Sequence, residues 1–62
     1  MKPFSIDAEM TDAQAWAFSE FLKRAALADY RELAKNDGEA YEMMAAGEAL
    51  RRGLARQGYS PR

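Results

Sequence analysis

From residue 4 to residue 10 the chain alternates: Phe4, Ile6, Ala8 and Met10 fall on one side of an extended segment, Ser5, Asp7 and Glu9 on the other. That period of two predicts a half-buried β-strand over about 4–10. At Thr11 the period changes. Thr11 or Asp12 supplies a helix N-cap, and the Ala-, Leu- and charge-rich run that follows, free of Gly and Pro, predicts a helix over about 12–35. On a 3.6-residue wheel Phe18, Phe21, Leu22, Ala25, Ala26 and Leu33 share one side, the face expected to reach the core. Asp29 projects into the middle of that face. Either the helix breaks near Ala28 and Asp29 or a carboxylate is held at an interface. The reading adopted is a break, with Asp29 capping a short helix that contains Tyr30 and Leu33.

"KNDG" at 35–38 carries turn chemistry, and Asn36 or Asp37 can cap the next helix, with Glu39 placed as in a capping box. A second long helix is expected over about 37–57. Its strongest apolar line is Ala40, Met43, Gly47, Leu50 and Leu54. Gly47 and Gly53 each cost about 1 kcal/mol against Ala in a helix interior, which points to close approach by a neighbour. With Ala45, Ala46 and Ala49 they make a smooth surface on which Trp16, Phe18 and Phe21 are expected to sit. Gly58 ends the helix in a left-handed cap and Pro61 prevents its resumption.

The fold class expected is therefore mainly α: an N-terminal strand followed by a helical hairpin, in one domain spanning 1–62. A lone strand has no pairing partner in its own chain, so an antiparallel ribbon with the same strand of a second copy is the economical solution. Composition pushes the same way. Sixty-two residues allow only a small core, and with no cysteine and no histidine the chain lacks disulfides and the usual metal ligands, leaving oligomerisation to stabilise it. The expectation is a two-fold homodimer joined through the strand.

Net charge is -1, which gives no global attraction to a polyanion. The charge is nonetheless patterned. Residues 1–22 sum to -3, 23–35 to +2, 36–48 to -4 and 49–62 to +4. Each block complements the dipole of its own helix, and antiparallel helices place opposite blocks side by side. Arg51, Arg52 and Arg56 are candidates for an anionic surface, although a Glu48–Arg52 pair and the helix C-terminus account for them without a ligand. Without His, Cys or a glycine-rich phosphate loop, and with little chain to enclose a pocket, catalysis is not expected, nor is any cofactor or metal. No apolar run reaches membrane-spanning length and "MKPFSID" lacks the apolar centre of a signal peptide, so a cytoplasmic location is expected.

In element order and size the chain resembles the ribbon-helix-helix family, whose dimers lay a two-stranded ribbon in the DNA major groove. That resemblance implies base reading by the outward strand positions, here Ser5, Asp7 and Glu9. Their carboxylates, doubled in a dimer, would face phosphates. The segments "DAQAWAFSEFLKR", "DYRELA", "EAYEMMAA" and "GYSPR" also resemble a family of short, uncharacterised bacterial proteins, some carried on mobile elements. This second resemblance implies no chemistry and no site residues, but it implies a setting in which small inhibitors of host or defence proteins occur. The function expected is non-enzymatic binding of a protein partner through the acidic face of Ser5, Asp7 and Glu9 or through Trp16 as an aromatic anchor. The alternative is a DNA-binding regulator.

Overall fold

The computed structural model describes residues 2–62, and among them it contains three helices and no strand. Helix α1 spans Asp12–Arg24, α2 spans Leu27–Leu33 and α3 spans Asp37–Arg56. Residues 2–11 form an irregular, exposed arm.

The expected strand is thus corrected, and with it the ribbon through which a two-fold dimer was to form. The reason is visible in the exposure of its apolar side: Phe4 is 81% and Ile6 73% exposed, as open to solvent as the polar side. Alternation creates a candidate strand, but a ladder requires a neighbour for its N–H and C=O groups. The chain supplies none.

Helix α1 begins at a reciprocal cap. The hydroxyl of Thr11 accepts from the Gln14 amide at 3.1 Å, and Gln14 Oε1 accepts from the Thr11 amide at 2.9 Å. Asp12 in the first turn and Lys23 and Arg24 in the last complement its dipole. The helix then stops at Ala25, whose ψ of 126° is extended, in the middle of an alanine-rich stretch with high helix propensity. Tertiary packing overrides propensity here. The first helix is broken, but at Ala25–Ala26 and not at Ala28–Asp29, and Asp29 is not the N-cap. It sits inside α2, and its carboxylate reaches back to accept from the Ala26 N–H at 2.8 Å. Ala26 has no side-chain acceptor to cap with, so the cap is supplied from within the first turn.

The turn to α3 is fixed on both sides. Asn36 Oδ1 accepts from the Glu39 amide at 2.8 Å, while Glu39 Oε1 accepts from the Lys35 amide at 3.2 Å. Arg31 of α2 spans the turn to Asp37, its Nε and Nη2 lying 3.2 and 3.4 Å from the two carboxylate oxygens. At the other end of α3, Gly58 takes φ +100°. Its amide donates to Ala55 O at 3.0 Å and the Tyr59 amide to Leu54 O at 2.9 Å. Those two bonds define a Schellman cap, and its usual apolar contact is present, because Tyr59 packs on the cluster that contains Leu54.

Both α1 and α2 pack against α3. From α1, Ala15, Ser19 and Leu22 face inward; from α3, Ala40, Gly47 and Leu54 do. Tyr30 of α2 and Leu22 of α1 meet over Gly47, where a Cβ would collide with the Tyr30 hydroxyl and lie 3.5 Å from Leu22 Cδ2. Close approach, expected at both helical glycines, therefore holds at Gly47. Its occupants are Tyr30 and Leu22, not Trp16, Phe18 and Phe21. At Gly53 only the end of Arg56 lies near, at 3.8 Å. The buried apolar set is small: Ala15, Leu22, Ala40 and Leu54.

Candidate functional site

A helix of 13 residues can present only one stripe to its neighbour, and in α1 that stripe consists of Ala15, Ser19 and Leu22. Two of the three are small, which lets α1 approach α3 closely. The bulkier apolar residues, Phe18 and Phe21, are left on the outer face, contrary to the expectation that they enter the core. Phe21 is 53% exposed. The two rings stack on each other, with centroids 5.4 Å apart and planes 21° apart. Ala25, Ala26 and Leu33, placed on the same predicted core face, are likewise not buried, and Leu33 is 85% exposed.

This outer face is hollowed. A shallow apolar depression is lined by Met10 of the arm and by Gln14, Ala17, Phe18 and Phe21 of α1. A second depression continues from it along Ala17 and Phe21 to Arg24, Ala25 and Asp29. The two share residues and form one groove. Its apolar floor ends at a polar rim whose charges are already held: Arg24 Nη2 contacts Glu20 Oε2 at 2.9 Å, and Asp29 accepts from Ala26. An apolar segment laid in the groove would cover the rings without stripping those groups of their partners.

The other candidate residues are dispersed. Ser5, Asp7 and Glu9 are exposed along the arm with no structure to align them as a reading face. Trp16 lies on a different side of α1 from Phe18 and Phe21, and its ring meets Tyr59 edge-on at 5.2 Å and 75°. Arg51 pairs with Glu48 one turn back at 3.7 Å, so Glu48 engages Arg51 instead of Arg52. Arg52 and Arg56 are exposed one turn apart near the end of α3.

Among the described residues no cluster of Asp and Glu is placed to hold a metal ion, and no helix is long and apolar enough to cross a membrane. Among the described residues, Tyr59 stands out for its ionisation. Its hydrogen bond to Asp12, then desolvation and the carboxylate charge, hold the phenol above its usual value of 10.0.

The groove escaped a reading by hydrophobic periodicity because Phe18 and Phe21 dominate the wheel by size. A signal was available in the line of small residues beside them. Ala15 and Ser19 lead to Leu22 at spacings of four and three, the pattern of a closely packed helix pair.

No curated protein and no solved structure matches the chain. A family model described as a family of unknown function (DUF7706) matches residues 1–62 from end to end, and the chain belongs to that family.

Proposed function

We propose that this protein is a non-enzymatic binding module that engages a protein partner through the outer face of α1. The observation that carries this reading is an inversion of the usual burial order. The interior holds Ala15, Leu22, Ala40 and Leu54, whereas Phe4, Ile6, Met10, Phe18 and Phe21 stand in solvent. Scattered exposed apolar residues are ordinary on a protein surface; Met10, Phe18 and Phe21 instead line one groove. Aromatic side chains set in a shallow apolar groove with a polar rim have the composition of an interface centre. Relative to the sequence-based expectation, the binding face moves from the acidic positions of the arm to the aromatic face of α1.

The test is capture from a lysate by the immobilised chain and by a Phe18→Ser/Phe21→Ser variant, each with and without nuclease. Both side chains are exposed, so far-UV circular dichroism of the variant should match that of the parent. The expected result is a set of proteins that survives nuclease and disappears with the variant. Capture unchanged by the variant would remove this face from consideration. Capture abolished by nuclease would redirect attention to Arg51, Arg52 and Arg56.

A further inference from the structure

We infer that the occupant of the α1 groove is the arm of a second copy of this chain, residues 4–10 of each copy lying along α1 of the other. The inference rests on the binding-face reading above and specifies its partner.

The first argument is an area. The chain exposes 5268 Å². A compact monomer of 7.0 kDa exposes roughly 4,000 Å². The excess of about 1,200 Å² per chain exceeds the roughly 800 Å² per partner that a stable interface requires. The radius of gyration agrees: it is 12.4 Å, against roughly 10.6 Å for a compact domain of this length. The chain is open for its mass, and Phe4, Ile6 and Met10 of the arm and Phe18 and Phe21 of α1 are among its exposed large apolar residues.

The second argument is fit. Residues 4–10 in extended form reach about 23 Å, and 13 helical residues rise about 20 Å, so the arm matches the length of α1. Phe4, Ile6, Ala8 and Met10 then point one way, into a groove floored by Ala17, Phe18 and Phe21. Ser5, Asp7 and Glu9, on the opposite side of the arm, stay in solvent and keep their hydration. Within one chain only Met10 reaches the groove, because the arm runs on into α1 with no reversal that would return Phe4 and Ile6 to it. Reciprocal exchange closes the contact under two-fold symmetry. No strand ladder is involved: the arm meets side chains of a helix.

The experiment is sedimentation equilibrium of the full chain and of two separate variants, Ile6→Glu in the arm and Phe21→Glu in the groove. Helical content is checked by circular dichroism. The expected result is a dimer at micromolar concentration, with each variant raising the dissociation constant by about 30-fold or more. Because the chain has no native cysteine, mixing Ile6→Cys protein with Phe21→Cys protein under oxidation adds a positional test. A cross-linked heterodimer is expected. A monomeric parent chain at these concentrations would overturn the inference, as would a dimer that both Glu variants leave intact. A monomer whose lysate capture is still lost on replacing Phe18 and Phe21 keeps the binding face and rejects only the second copy; a monomer whose capture is unchanged rejects both.

Discussion

The Tyr59 hydroxyl donates to Oδ1 of Asp12 at 2.8 Å, joining residues 47 positions apart. The Schellman cap aims Tyr59 back at α1, and Asp12 waits in the first turn of that helix, one residue after its N-cap. The same ring closes edge-on against Trp16. A cap at the end of α3 is thereby converted into a clasp on the beginning of α1.

That clasp links folding to the protonation of Tyr59. The Tyr59 phenol is raised in the folded chain, so the native state holds its proton more firmly than the unfolded state does. Its contribution is fully present below the unfolded value near pH 10 and is lost as pH rises through the higher folded value. Tyr59→Phe should be less stable than the parent at neutral pH. Above about pH 10 its stability should fall less steeply, so that the two curves converge. Urea unfolding across the pH range measures both; parallel curves would show that the phenol does not titrate against Asp12.

Gly47→Ala should destabilise, although it removes a helical glycine. The substitution gains about 1 kcal/mol of helix propensity. It also forces a methyl group into the Tyr30 hydroxyl, with Leu22 Cδ2 closing the space on another side, and overpacking of this kind costs about 1–3 kcal/mol. The two changes should couple. With Tyr30→Phe in the same chain the penalty should shrink by at least about 0.5 kcal/mol, read from a double-mutant cycle of urea midpoints.

Ser19→Ala should stabilise. Ser19 is fully buried and its hydroxyl oxygen has no hydrogen-bond partner. Removing the oxygen relieves an unmet desolvation cost and adds helix propensity, together worth about 1 kcal/mol. Ser19→Leu should do the reverse by pushing α1 away from α3. A urea midpoint that rises for Ala at constant m-value is the expected outcome.

Asp29→Ala should loosen the start of α2 alone. Its carboxylate holds the Ala26 N–H, and loss of such a contact costs about 1 kcal/mol. Hydrogen exchange at Ala26 should accelerate while the inward-facing amides of α1 and α3 remain as slow as before. Asp29→Asn keeps an acceptor at the same place and should restore part of the protection.

Much of the helical layout was legible in the sequence. Asn36 caps α3 as its position before "DGEA" implies, the helix ends one residue before its expected limit, and Gly58 takes the left-handed conformation its place demands. Thr11 likewise starts α1. What escaped were features decided by tertiary contact. The end of α1 carries no local stop signal, since Ala25 and Ala26 favour helix; the break lies where Tyr30 can turn onto Gly47. The cap that rescues α2 comes from Asp29 at its third position, so a search for a cap before the helix points three residues too far along. Alternation at 4–10 described the chemistry of the arm correctly and its conformation wrongly, because pairing depends on a neighbour that no periodicity can count. The groove was hidden by the same rule that finds cores: large apolar residues were assigned inward, and here the small ones went inward.

Helix α2 buries none of its own residues and is held by the seat of Tyr30 on Gly47 and the Arg31 fork across the turn. Seven residues with no buried side chain are expected to open locally more readily than the longer α1 and α3, an expectation that amide exchange checks. Asp29 and Ala25 form one end of the groove, so each such excursion unmakes that end while leaving Phe18 and Phe21 in place on α1. A ligand that fills only the aromatic end would be indifferent to these openings. One that spans the whole groove would shut them off, and its binding would register as slowed amide exchange in a helix it barely touches.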